Sequence, residues 1–391
     1  MYQFSWRILF LLVSLFVLRG DRVAWSLSQG DFRVKSLAVI TQDDRGLSLK
    51  YPRSLSYDKK AHETYVIGSG TREVVIFTSD FYPAVSVGHG RGLSGVISVF
   101  VDHDNLLFCL GEEKTVTLSN LFIYDQALLP VGRIELSGFP EVDHFQPEQV
   151  VVKDGYFYVV GIGSPGLLKF DHEGIFLERI IPRDEILGVE EDAPVKSFEI
   201  DSRGRFFLLS EVMGRIFVYS SQGELLFKFG TKGGSSGKLS RPRALAIDEK
   251  AGLIFVVDYM RHAVNVYSMD GEYIFEFGGK GVGRGWLSFP SDLVIDDRGR
   301  LWVADTFNGR VQVFKVTRLK LGADADDAAS SMGSLRSEIP VVAETSKVPP
   351  SDSPENSTPE ESAIPEPGSQ KSVPEVPEPP LQLDEVQESD L

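Results

Sequence analysis

The sequence predicts an all-β fold: a six-bladed β-propeller of similar repeats whose last blade is closed by an N-terminal strand and whose C-terminal tail is disordered. Three observations predict it. An inner-strand phrase running from Pro to Asp recurs along the chain. Each copy is followed by short runs rich in aromatic and β-branched residues, separated by Gly and Asp turns. The final copy lacks a fourth strand, and a segment near the N terminus reads as the missing one.

In chain order, Arg7 precedes an apolar run from Ile8 to Leu18 broken only by Ser14, and Ala24-Trp25-Ser26 offers small residues for cleavage. Residues 1–26 therefore read as a secretory signal peptide, because a membrane-crossing helix needs about 20 apolar residues. The chain is expected to be exported, to the periplasm or the exterior, with no stable membrane insertion after cleavage. Its single cysteine, Cys109, lies far from the cleavage point, which excludes a lipidated cysteine there and any internal disulfide.

Residues 30–318 hold the repeats. Pro52 to Asp58, Pro242 to Asp248 and Pro290 to Asp296 share the same spacing; Pro147 to Lys153 keeps it with Lys last, and Val96 to Asp102 and Val195 to Asp201 keep it with Val first. The closing residues 58, 102, 153, 201, 248 and 296 are 44, 51, 48, 47 and 48 positions apart. That period, filled with alternating short strands and no 3.6-residue rhythm, points to propeller blades and away from helical solenoids. In the fifth unit Ala244–Asp248, Leu253–Val257, Ala263–Tyr267 and Tyr273–Phe277 make four strands with x-Asp-Gly-type turns. The stretches "GTKGGSSGKLSRP" and "GGKGVGRGWLSFP" carry the chain from one outer strand to the next inner one. After Val311–Val316 no fourth strand follows, and residues 31–41 are expected to supply it.

Residues 321–391 contain 16 acidic and three basic residues, no aromatic residue and 11 of the 21 prolines. Such a segment cannot offset the entropy of ordering, so a disordered spacer or docking segment is expected. It carries −13 of the net charge of −16, leaving −3 for residues 1–320. The acidity of the whole chain therefore says nothing about a nucleic-acid face.

"PSDLVIDDRGRLWVADTFNGRVQVF" resembles an NHL repeat, and residues 30–318 resemble NHL-type six-bladed propellers of the exported bacterial kind. Asp305, Asn308 and Arg310 fill the family's Asp-x-x-Asn-x-Arg elbow. The fifth repeat keeps Asp258, with Arg261 and Ala263 in the other slots; the fourth has Glu211 and a shortened Gly214-Arg215; the first three are eroded. A structural role is expected for Asp258, Asp305, Asn308 and Arg310: the carboxylate accepts turn N–H groups, Asn-Gly makes the turn, and Arg pairs with the acid.

The resemblance brings in propeller lactonases and lyases, whose metal ligands project into the channel. Here the residues following the inner-strand starts are Arg53, Ile97, Glu148, Lys196, Arg243 and Ser291, mixed in sign and without His, so neither a metal nor another cofactor is expected. The six histidines show no His-x-x-x-His pairing, no Gly-x-Ser-x-Gly is present, and "GGKGVGRG" lacks the ending of a phosphate loop. Arg19-Gly20-Asp21 precedes the cleavage point, and Asn356-Ser357-Thr358 is a sequon in the tail.

The face made by the elbows and interblade loops gathers Arg215, Lys232, Lys238, Arg241, Arg243, Arg261, His262, Lys280 and Arg284, with Glu112, Glu113, Glu141, Asp143, Glu190, Glu191 and Asp192 on the other side. Such a dipolar face suits an oriented protein or peptide partner. The chain's own acidic tail is a second candidate occupant, and no nucleic acid is expected, since RNA binding by NHL proteins is intracellular. The expected function is non-catalytic binding through the loop face, with a metal-dependent lactonase- or lyase-like enzyme as the alternative.

Overall fold

Runs of Val, Ile, Phe and Tyr broken by Gly and Asp leave no long helical stretch among the described residues. The computed structural model describes residues 26–29, 31–68, 70, 73–88, 95–101, 107–111, 120–186 and 188–319. The apolar leader, Arg19-Gly20-Asp21, His89, His103, Glu112, Glu113, the tail and its sequon lie outside the described residues.

Strands β1 (Ser26–Gln29) and β2 (Phe32–Ile40) come first. Then follow β3 (Pro52–Asp58), β4 (Glu63–Gly68), β5 (Val74–Phe77) and β6 (Pro83–Val87), one antiparallel sheet. A second sheet comprises β7 (Val96–Val101), β8 (Leu107–Gly111), β9 (Asn120–Tyr124) and β10 (Pro130–Glu135). A third comprises β11 (Gln146–Lys153), β12 (Tyr156–Ile162), β13 (Leu167–Phe170) and β14 (Phe176–Ile180). A separate hairpin, β15 (Arg183–Ile186) with β16 (Val189–Asp192), interrupts the series. Two further sheets are β17 (Ser197–Ile200), β18 (Phe206–Ser210), β19 (Arg215–Tyr219) and β20 (Leu225–Phe229), then β21 (Pro242–Asp248), β22 (Leu253–Asp258), β23 (Ala263–Ser268) and β24 (Tyr273–Gly278). The final strands β25 (Asp292–Ile295), β26 (Arg300–Asp305) and β27 (Arg310–Arg318) join β2 and β1 in a five-stranded sheet ordered β1-β2-β27-β26-β25.

The first strands are neighbours in turn: β3 touches β7, β7 touches β11, β17 touches β21, β21 touches β25, and β25 touches β3. Between β11 and β17 the link is a side chain, the Gln149 amide, which donates to the Phe198 carbonyl at 2.8 Å and accepts its N–H at 3.1 Å. This is an all-β propeller with its inner strands around an axial channel.

The recurring Asp at the end of the inner strand has a local cause. Asp58 accepts the N–H groups of Lys60 and Ala61, Asp201 those of Arg203 and Arg205, and Asp296 those of Arg298 and Arg300, at 2.7–3.0 Å. Each carboxylate closes the turn to the second strand. The second strands β18, β22 and β26 are buried along their whole length, because sheets pack on both of their faces. The apolar core is correspondingly divided into clusters between successive sheets. Phe32 and Val34 of β2 pack with Phe275, Phe277 and Phe314, while Ile40 joins Trp302, Val311 and Phe77 on the other side.

Strand β2 alternates by burial from Phe32 to Ser36 and pairs with β27 over its length, Val34 opposite Val316 and Ile40 opposite Val311. Beyond the segment 31–41 read from the sequence, β1 adds a fifth strand that the repeat pattern did not suggest. The hairpin β15–β16 was not foreseen either.

Candidate functional site

The β22–β23 and β26–β27 elbows, the loops between sheets and the first residues of the inner strands lie at one end of the channel, because inner-strand starts pair with second-strand ends, as Pro242 does with Asp258. Asp305 is fully buried at its elbow. Its carboxylate accepts the Ser288 N–H at 2.6 Å, the Asn308 amide at 2.9 Å, the Arg310 Nε at 2.6 Å and the Gln312 amide at 3.0 Å. Arg310 then donates to the carbonyls of Val282, Gly283 and Trp286 at 2.7–2.9 Å, and Asn308 to that of Gly281 at 2.9 Å. One acid thereby fixes the loop that leads into its own sheet. Gly309 turns the corner at φ 61°, where a Cβ would meet the Leu49 carbonyl at 2.9 Å. Asp258 does the same with fewer partners, accepting the N–H groups of Ser240, Arg241 and Arg261.

The cations singled out in the sequence are largely engaged. Arg215 and Lys228 both bind Asp184 of the hairpin β15–β16; burial works against that carboxylate's charge, but the Lys228 hydrogen bond and the Arg215 charge hold its pKa below the usual range. Arg241 and Arg243 share Glu211. Lys232 donates to the Glu211 carbonyl at 2.7 Å, and burial lowers its pKa. Arg261 forms two 2.6 Å bonds to Glu276 and reaches the Gly234 carbonyl. His262 is buried, and its Nδ1 accepts the Phe289 N–H at 2.9 Å, so the proton of the neutral ring sits on Nε2; burial, then the charge of Lys280, lowers its pKa. Lys238, Lys280 and Arg284 make no ion pair among the described residues. Of the acids opposite, Glu141 pairs with Arg179 at 2.8 Å and Asp192 with Arg183 at 3.1 Å.

Beside these cations lies an aromatic strip that charge patterning did not reveal. Tyr51 and Phe307 are 50% and 55% exposed with ring centroids 5.8 Å apart. Phe307 and Tyr259 each stand 4.9 Å from Phe289. Tyr259 borders the channel and carries the guanidinium of Arg243 at 5.0 Å and that of Arg241 at 6.0 Å from its ring centre. Tyr51, His262 and Phe289 hold φ values of 50°, 57° and 46°, uncommon for residues with a Cβ. The available signal was the aromatic residue immediately before an inner-strand proline, Tyr51-Pro52 and Phe289-Pro290, in loops otherwise rich in Gly and Ser.

The channel itself holds about 1240 Å³. Asp292 and Glu199 are among the carboxyls that line it. Asp292 accepts the Leu55 and Leu293 N–H groups at 2.7 and 2.8 Å and bridges β25 to β3, yet desolvation pushes its pKa up to about 7. Glu199 is pushed up to about 8 by desolvation and then by the charge of Asp292, with Lys59 opposing. A pKa above its unfolded value means the folded state holds the extra proton, so this stability is full below the unfolded value and lost as pH rises through about 8. Glu199→Gln is expected to raise unfolding free energy by about 2–4 kcal/mol near pH 9, and by no more than about 1 kcal/mol near pH 5, in urea titrations at the two pH values. Among the described residues no three His, Cys, Asp or Glu side chains converge as a metal site.

Residues 287–314 match the family model described as the NHL repeat, and residues 190–278 match one described as a 6-bladed beta-propeller. Among solved structures, a structural genomics protein of unknown function from Bacteroides thetaiotaomicron is similar with 14% identity, a TM-score of 0.56, and 73% of this chain and 76% of that one covered. An auxiliary nutrient binding protein from the same organism has 14% identity, a TM-score of 0.54, and 74% and 78% covered. A streptogramin B lyase has 10% identity, a TM-score of 0.51, and 74% and 100% covered. No curated protein sequence matches the chain. Likeness at these identities concerns the fold and carries no activity across. The chain is a β-propeller that carries an NHL repeat.

Proposed function

We propose that this chain is an exported, non-catalytic six-bladed propeller that binds a protein or peptide partner at its elbow end. The blade count rests on the five-stranded sheet serving as the sixth blade, with β2 as its outer strand beside the edge strand β1. The binding reading rests on one observation: the strip Tyr51, Phe307, Phe289 and Tyr259 ends against Arg243 and Arg241 at the channel mouth. Exposed Val212, Met260, Val282 and Trp286 extend the same end. Aromatic, Met and Arg residues in one patch are the composition of an interface centre.

A peptide enriched by display selection on the full chain tests this. Phe307→Ala and Tyr259→Ala are each expected to weaken its affinity about tenfold or more, while Tyr156→Ala at the opposite end changes it less than about twofold. Equal effects at both ends would contradict the reading. The raised pKa values of Glu199 and Asp292 favour a second reading, acid–base chemistry of a lactonase or lyase kind. Stoichiometric calcium or zinc binding by the full chain would move that reading ahead.

A further inference from the structure

The inner strands present their residues to the channel in levels, since corresponding positions stand at similar heights around the ring. Nearest the elbows are Arg53, Glu148, Lys196 and Arg243. Glu148 and Lys196 neutralise each other at 2.6 Å, and Arg243 reaches Glu211 at 3.4 Å, whereas Arg53 makes no ion pair among the described residues. One level further in come Ser54, Ser98, Gln149, Ser197 and Asp292. Gln149 and Asp292 are occupied as ties between neighbouring inner strands. Ser98 is 7% exposed, and its hydroxyl has no hydrogen-bond partner.

Two levels deeper stands Glu199, with Val151, Ala246 and Val294 at the same height. It accepts no hydrogen bond and enters no ion pair among the described residues. Without donors, and flanked by these apolar residues, Glu199 keeps its proton at neutral pH, and a cation brought to it offsets the cost of the carboxylate form. At the rim the opposite holds: Arg53 offers a guanidinium that enters no ion pair among the described residues, its charge acting on Asp292 one level further in. Arg53 and Glu199 are three levels apart, about 10 Å along the strands, and sit on β3 and β17, which lie across the ring from each other.

We propose that the channel is a ligand site for a small zwitterion of the short-peptide class, its ammonium held by Glu199 and its carboxylate by Arg53. A tripeptide at about 3.3–3.6 Å per residue spans the axial part of that separation. Ser98 supplies a hydroxyl to its backbone, and Ile97, Val151 and Ile200 line the space for small apolar side chains. The proposal does not depend on the elbow-face reading. The selected peptide there and the small ligand here are measured separately, and either can fail alone.

Calorimetric titration of the full chain at neutral pH with trialanine, its N-acetyl form and its C-terminal amide decides the matter. Trialanine is expected to bind at one site per chain. Acetylation should cost at least about tenfold in affinity, and amidation severalfold. Glu199→Gln should abolish the preference for the free amine while keeping that for the free carboxylate, and Arg53→Gln should do the reverse. The circular-dichroism spectrum and unfolding midpoint of each variant establish that it folds. Absence of saturable binding up to about 10 mM overturns the proposal. So does equal binding of the acetylated peptide, or a preference that survives Glu199→Gln.

Discussion

Asp305→Ala is expected to lower the unfolding free energy by about 3–5 kcal/mol in equilibrium urea titrations. The carboxylate is fully buried and accepts from a backbone N–H, two amides and a guanidinium. Removing it strands Arg310, whose side chain is only 10% exposed, without its counter-charge. The three carbonyls that Arg310 holds, those of Val282, Gly283 and Trp286, belong to the preceding loop, so the entry to the last sheet loosens at the same time. Asp258→Ala provides the internal comparison. It removes three backbone acceptor bonds, but Arg261 pairs with Glu276 and keeps its partner. A loss of about 1–3 kcal/mol is expected there. Equal losses at the two sites would show that the Asp305–Arg310 pair adds nothing beyond turn closure.

Val34→Asp is expected to cost at least about 4 kcal/mol and to leave the chain largely unfolded under mild denaturant, because it places an unpaired charge inside an apolar cluster. Val34 is fully buried between β27 and the preceding sheet. Its neighbour Lys35 is exposed and faces Lys315 across the ladder, so Lys35→Glu should change stability by no more than about 0.5 kcal/mol. Adjacent strand residues point to opposite faces, and the contrast fixes the register as well as the presence of β2. Similar effects from the two substitutions would mean that β2 is not seated on β27 as described.

What could be read from the sequence was local, and what could not was not. The Asp at the end of four inner strands (Asp58, Asp201, Asp248 and Asp296) and the Asp305 elbow bond groups within a few residues or in the adjoining loop, so their spacing survives as a pattern. The partners of the cations lie in other sheets or loops: Asp184 for Arg215, Glu211 for Arg241 and Arg243. No spacing announces such pairs, and the loop-face arginines read as a free basic sector although most are held. The hairpin β15–β16 escaped because "RDEILGVEED" has the charge of a solvated loop, while its one buried acid, Asp184, anchors it to β19 and β20. The channel carboxyls were missed for a geometric reason. A register shift follows Pro52 in β3, Val96 in β7, Pro147 in β11 and Pro242 in β21, so the residue after the repeat's first position is not a sufficient guide to what lines the axis. Asp292 and Glu199 stand further along their inner strands and are on the wall.

The elbow end and the channel are single surfaces only if the N-terminal strand completes the last sheet. Amide hydrogen exchange of the full chain, read by peptide-resolved mass spectrometry, measures this directly. The account predicts that Phe32–Ile40 exchanges as slowly as Arg310–Arg318, both at the rate set by global unfolding. Exchange of Phe32–Ile40 within seconds, while Arg310–Arg318 stays protected, would contradict it.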